Sequence, residues 1–253
     1  MISVKNLCSG YGGKNILKNI TTDFSDGEIT SIIGPNGSGK STLLQCCAGL
    51  LGISGGDILA DGKSITEYKG RTLAQSVSYL PQNNSVSAIT VKALVMHGRF
   101  PYLGYPRRYS KEDIEIAENA LKEVGLIDFA DKQLSELSGG QQQKAHIAMR
   151  LAQNTKNVLL DEPTTFLDIK YQLELMRLAK RLSSEGKTVV AVLHDIELAF
   201  TNSDKIVVID NGEIAFSGPP SRLVDSGAIE SAFGVKPTIN SGQLFFKPIN
   251  SKS

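Results

Sequence analysis

Residues 34–42 read GPNGSGKST and follow the run EITSII, so a β-rich segment gives way to glycines, a lysine and two hydroxyl side chains just as a helical stretch begins near Ser41. Few backbones suit such a transition. Glycines at 34, 37 and 39 let a chain wrap tightly with successive N–H groups turned inward, a geometry that a Cβ would obstruct. The rest of the chain supplies a matching context. EITSII, NVLLDEP, TVVAVLHD and KIVVIDNGEIAFSG alternate with helical stretches, the pattern of a mainly parallel sheet with helices packed on it, and the expected class is α/β. From Lys111 to Gly125 the residues Ile114, Ala117, Leu121 and Val124 share one helical face, with Ser110 placed to cap and Gly125 to stop it. Ile169, Leu173, Met176 and Leu182 line a second helix that Gly186 closes. Asn211-Gly212 between two apolar runs signals a hairpin. From about Asn83 to Glu136 no clear strand is visible, which reads as a mostly helical insert.

With 253 residues, 41% hydrophobic and 21% charged, one or two compact units are allowed. Lys+Arg 27 against Asp+Glu 26 leaves a formal net charge of +1, too little positive excess for a chain that grips nucleic acid by its phosphates. Cys8, Cys46 and Cys47 are odd in number and form no C-x-x-C pair, which fits a reducing cytosol, with Cys46 and Cys47 packed in the interior. The N-terminal stretch MISVKNLCSGYGG lacks the features of a signal peptide and the apolar runs are too short to span a bilayer, so the chain alone is expected to be soluble.

The stretch at 34–42 fits G-x-x-x-x-G-K-[ST] between a strand and a helix, the arrangement that cradles phosphate at a helix N-terminus. Lys40 would reach the β- and γ-phosphates, Ser41 a Mg²⁺ ion and Thr42 the α-phosphate. The competing reading is a plain glycine turn. A buried strand ending in acid should accompany such a loop, and NVLLDEP offers Asp161 to hold Mg²⁺ through water and Glu162 to accept the proton of an attacking water. Alone, two acids at a strand end are as consistent with a solvated turn. Leu137 to Gln141, LSGGQ, opens another helix with a serine and two glycines, a second anion cradle in a chain that already has one.

In the order SGYGG, GPNGSGKST, YLPQ, LSGGQ, LLDEP, FLD and LHD, these motifs resemble the ATP-binding subunits of ABC transporters along nearly the whole chain. The resemblance implies a P-loop NTPase core with an N-terminal antiparallel β portion and an inserted helical subdomain. It implies one ABC-type domain over 1–253, divided into an α/β core at 1–84 and 151–235, a helical subdomain at 85–150 carrying the signature, and a tail at 236–253. It also implies that LSGGQ completes the nucleotide site of a facing subunit. Tyr11 matches the aromatic residue that stacks on adenine, or it packs on the sheet as a strand-end tyrosine. Gln82 matches the glutamine that touches Mg²⁺ and the attacking water, and His194 the switch histidine that contacts the γ-phosphate and orients Glu162. Asp168 matches the loop coupling the two sites, though it could equally cap the following helix. The implied ATP-binding set is Tyr11, Gly34, Asn36, Gly37, Ser38, Gly39, Lys40, Ser41 and Thr42, with Ser138, Gly139, Gly140, Gln141 and Asp168; the Mg²⁺ set is Ser41, Gln82 and Asp161. His97 and His146 read as structural.

HGRFPYLGYPRRY, residues 97–109, gathers Phe100, Tyr102, Tyr105 and Tyr109 with three arginines, the residue types of binding patches. It resembles the membrane-subunit contact of importers for iron-siderophores, haem and cobalamin, and it could also be a loop packed on its own subdomain. TTFLD and QQQK depart from commoner residues without removing a catalytic group, and the stretch after Gly218 is too short for the regulatory domain of sugar-importer ATPases. The resemblance implies a Mg²⁺-dependent ATPase that pairs as a homodimer or with a second ATPase subunit. Such a pair drives integral membrane permease subunits from the cytoplasmic face, as a peripheral protein, and serves a substrate-binding protein indirectly. An exporter motor, a soluble non-transport ABC ATPase and a non-hydrolysing scaffold are the alternatives.

Overall fold

The computed structural model describes residues 1–82, 88–165, 167–240 and 243–248. Phe166 of the TTFLD segment, residues 83–87 at the start of the expected insert, and residues 249–253, read as solvated chain, lie outside the described residues.

The chain opens with β1 (Ile2–Tyr11) and β2 (Lys14–Phe24), joined at Gly12 and Gly13, whose φ values of 58° and 79° suit glycine. After β3 (Ile29–Ile33) and α1 (Lys40–Cys47), β4 (Gly55–Ala60) and β5 (Lys63–Ser64) return to β1, giving an antiparallel sheet in the order β2-β1-β4-β5. Next come α2 (Gly70–Ser76) and β6 (Val77–Leu80), then the helices α3 (Val91–His97), α4 (Lys111–Glu123) and α5 (Gly139–Gln153). The remaining strands of the main sheet are β7 (Asn157–Asp161), β8 (Thr188–Val192), β9 (Lys205–Asp210) and β10 (Glu213–Gly218). They are interleaved with α6 (Ile169–Ser184) and α7 (Ile196–Asn202). The six-stranded order is β10-β9-β3-β8-β7-β6, parallel except where β10 pairs antiparallel with β9. Two short helices follow, α8 (Pro220–Leu223) and α9 (Ala228–Phe233), and then β11 (Val235–Asn240) and β12 (Gln243–Pro248).

Strands β3, β7 and β8 are buried along their whole length, which is why they read as near-continuous apolar runs. Their period of two divides the core. Ile32, Leu159, Val190 and Val192 face one cluster with Leu43, Cys46 and Cys47 of α1 and with Leu7, Leu17 and Phe24 of the antiparallel sheet, so α1 is clasped between two sheets. Ile29, Ile33, Leu160 and Val189 face the other cluster, with Leu175, Met176, Ala179 and Leu182 of α6. A third cluster joins α3, α4 and α5 through Val91, Val95, Ala117, Leu121, Ala145 and Ala148.

Ser110 and Asp113 form a reciprocal capping box on α4, and Arg99 meets Asp113 at 2.9 Å in the interior. Ile114 is 37% exposed, however, because burial in the three-helix cluster takes up Ala117, Ala120 and Leu121 in the middle of α4 and not its first turn. Likewise Ile169 (76%) and Leu173 (44%) are exposed while Met176 and Leu182 are buried, since full burial of α6 against the sheet begins at Leu175. Periodicity named the right face but could not show where its cover ends. The Asn211-Gly212 turn has φ of 49° and 82°, as a two-residue hairpin requires. Along the stretch expected as a C-terminal tail at 236–253, β11 and β12 pair antiparallel from Val235–Pro248 to Asn240–Gln243. No helix among the described residues is long and apolar enough to cross a membrane.

Candidate nucleotide-binding site

Four neighbouring parallel strands, β3, β8, β7 and β6, end on the same edge of the sheet. Their carboxyl ends lead directly into the loop 34–39, His194, the Asp161-Glu162 pair and Gln82, respectively. The carboxyl edge of a parallel sheet is where ligands of open α/β folds bind. A cleft of about 380 Å³ there is lined by Ile16, Asn36, Gly37, Gly39, Lys40, Ser41, Thr42, Gln82, Glu162 and His194.

Crowding explains the loop's glycines. A Cβ on Gly34 would stand 2.1 Å from the Ile209 carbonyl oxygen, and Gly39 has φ of 109° with space for a Cβ closed by Leu17 at 2.7 Å. The β9–β10 turn fixes the loop further, Gly212 N–H donating to the Ser38 carbonyl at 3.1 Å. Gly39 heads α1 with no side-chain cap, so the first-turn N–H groups of the helix are not taken up by a capping side chain. Lys40 is 5% exposed and its Nζ donates to the carbonyls of Gly34 (2.9 Å) and Pro35 (2.8 Å). Burial pulls its pKa down, opposed by the charges of Glu162 and Asp161. The buried Ser38 hydroxyl has no hydrogen-bond partner.

Both oxygens of Asp161 are engaged: Ser41 Oγ–H donates to Oδ1 at 2.8 Å and Tyr79 O–H to Oδ2 at 2.9 Å. Burial pushes the Asp161 carboxyl up, while these two bonds favour its ionised form. Burial and the same carboxylate raise the Tyr79 phenol above its usual range, so its proton stays in place. Glu162 is buried, with φ of 51°, a left-handed conformation rare for a side chain of its size. Its Oε2 accepts from Gln82 Nε2 at 2.5 Å and its Oε1 lies 2.7 Å from His194 Nε2. Loop, acids, glutamine and histidine thus form one contiguous set.

Other residues named from sequence lie outside this cleft. Tyr11 is an exposed residue at the end of β1 whose hydroxyl donates to Gln45 Oε1 at 2.8 Å. Ser138 and Gln141 cap α5 reciprocally, and Gly139 and Gly140 form its first turn, none of them lining the cleft. Asp168 Oδ1 accepts from Tyr171 N–H at 3.0 Å and caps α6. A larger hollow of about 480 Å³ between α4, α5 and α6, lined by Lys144, Tyr171 and Arg177, contains none of the strand-end groups. His146 is buried with its pKa pushed down to about 4 by desolvation, and so is neutral. His97 stacks on Phe100 at 4.7 Å. In the aromatic stretch Tyr105 is fully exposed and Phe100 half-exposed, whereas Tyr102 is tied down, its ring against Arg99 and its hydroxyl on the Gln153 carbonyl at 2.8 Å. Tyr102 therefore packs on its own helices, as the alternative reading had it.

Sequence reasoning missed Tyr79 and Gln45. Tyr79 sits inside YLPQ, and Gln45 lies one helical turn beyond Ser41, spacings that could have flagged both.

A phosphate-binding loop after β3 and an acidic end on β7, two strands of one parallel sheet with β8 between them, define a nucleotide triphosphatase of the P-loop class. Residues 17–165 match the ABC transporter family, and the chain belongs to it: it is an ABC ATPase domain. It is 43% identical to the petrobactin import ATP-binding protein FpuC of Bacillus anthracis over 98% of this chain and 93% of that one. It is 40% identical to the ferric enterobactin transport ATP-binding protein FepC of Escherichia coli over 92% of this chain and 86% of that one. Among solved structures it is similar to a bacterial ABC transporter cassette determined as a dimer, with TM-score 0.78, 33% identity, and 87% and 99% of the two chains covered.

Proposed function

We propose that the chain is the ATP-hydrolysing subunit of an importer for ferric siderophores, pairing on ATP and docking beneath a membrane permease at the cytoplasmic face. The observation that carries the catalytic part is the convergence of Lys40, Ser41, Gln82, Glu162 and His194 on one cleft. The relatives named above support the cargo.

In this reading the loop amides and Lys40 hold the triphosphate, Thr42 the α-phosphate, and Tyr11 stacks on the adenine. Ser41 and Asp161 fit Mg²⁺, since a hydroxyl and a carboxylate 2.8 Å apart form a hard oxygen pair that leaves other positions to phosphate and water. Gln82 would complete the set. Bound there, Mg²⁺ would neutralise charge developing on the β- and γ-phosphates. Glu162 takes the proton of the attacking water, and His194, 2.7 Å away, holds its carboxylate in position. Residues 1–84 and 151–235 serve as the nucleotide-binding core, which carries Asp168 in the loop coupling the two sites, and 85–150 as the helical subdomain that presents Ser138–Gln141 to the opposite subunit. Exposed Phe100 and Tyr105 are the permease contact.

Cells lacking the chain should lose ATP-dependent uptake of a radiolabelled ferric siderophore and regain it with the wild-type copy. Retained uptake across a panel of siderophores, with loss of another metal chelate such as cobalamin or haem, would reassign the cargo. The paired architecture has its own test. A Ser138→Arg subunit mixed with a Lys40→Ala subunit should yield heterodimers with at most one working site, each variant alone being inactive. Full activity from demonstrably monomeric protein contradicts the pairing.

A further inference from the structure

We propose that Tyr79 is a positioning residue for the Asp161 carboxylate, with Gln45 of α1 behind it; this rests on the roles given above to Ser41 and Asp161. The basis is a set of side-chain hydrogen bonds that closes on both oxygens of Asp161. Tyr79 O–H donates to Oδ2 at 2.9 Å and Ser41 Oγ–H to Oδ1 at 2.8 Å. Gln45, whose Oε1 accepts from Tyr11 O–H at 2.8 Å, has its side chain beside the Tyr79 hydroxyl. These residues come from β1, α1, β6 and β7.

Gln45 uses its carbonyl oxygen for Tyr11, and Tyr79 commits its own proton to the carboxylate. Asp161 receives one O–H on each oxygen, so rotating its carboxylate would break a bond on either side. Tyr79 suits this task because its ring packs against the core and only two torsions place its hydroxyl. A metal-ligating carboxylate held by an outer hydrogen bond is better oriented than a free one, and deleting such a partner typically weakens metal affinity ten- to a hundredfold.

The test uses methylanthraniloyl-ATP, whose base is unmodified, titrated by fluorescence against the full-length protein in EDTA and in graded Mg²⁺. Tyr79→Phe, which removes one hydroxyl, should raise the Mg²⁺ concentration for half-maximal tightening about tenfold and leave affinity in EDTA within about twofold. Gln45→Met should shift the Mg²⁺ requirement in the same direction by about threefold, and the double variant should be no worse than Tyr79→Phe, as for members of one network. An unchanged Mg²⁺ requirement in Tyr79→Phe, or fully additive effects, overturns the proposal. So does a parallel loss of affinity in EDTA with a lowered melting temperature, which would mark Tyr79 as packing. Should Tyr79→Phe not fold, the Gln45→Met shift decides alone. Wild-type protein whose nucleotide affinity ignores Mg²⁺ would instead overturn the metal roles of Ser41 and Asp161, and the proposal with them.

Discussion

Replacing Glu162 by glutamine is expected to lower ATP turnover by roughly 10²- to 10⁴-fold, the usual cost of losing a general base, while ATP binding is kept or tightened. The geometry makes this substitution informative. Glu162 is buried with Gln82 at one oxygen and His194 at the other, and glutamine keeps the shape and the left-handed backbone while giving up the ability to take a proton. It also removes a negative charge from beside the triphosphate. With hydrolysis blocked, the ATP-bound pair should persist. The measurements are steady-state ATPase rate and the monomer–dimer balance by size-exclusion chromatography with ATP and Mg²⁺. Normal turnover would remove Glu162 from the role of base, and failure to bind nucleotide would make its role structural.

Lys40→Ala should weaken ATP binding by about 30-fold or more, because removing one member of a desolvated charge pair costs about 2–5 kcal/mol. The ammonium is almost fully buried beside the loop, with Glu162 and Asp161 as its charged neighbours. Without it, two acids would face a triphosphate with only backbone amides to balance them. Fluorescent nucleotide titration of the purified variant checks this. Unchanged affinity would mean that the phosphates lie elsewhere.

The strand-loop-helix at 28–47 and the acid-terminated β7 could be read directly, because a glycine-rich turn and a fully buried strand leave strong local patterns. The order of strands could not. That β8 lies between β3 and β7, bringing His194 to the cleft, is a long-range pairing that no local window contains. Tyr79 escaped for a related reason: its partner Asp161 is 82 positions away, and an aromatic residue at a strand position reads as packing. The exposed Ile169 and the pairing of β11 with β12 show the limit from the other side. Apolar periodicity describes a face but not the partner that covers it, and two short strands next to a chain end carry little apolar signal.

The return of Lys40 onto the Gly34 and Pro35 carbonyls bears on how inhibitors of this cleft must be built. The ammonium already has two internal acceptors, so any competitor must exchange neutral carbonyl bonds for better ones. A single charged group that gains one contact there and breaks two gains little. A compound presenting two adjacent anionic groups, matched to the ammonium and to the first turn of α1 together, recovers what it displaces. Selection of lead compounds should therefore favour bidentate polyanion mimics over tight-fitting apolar fragments.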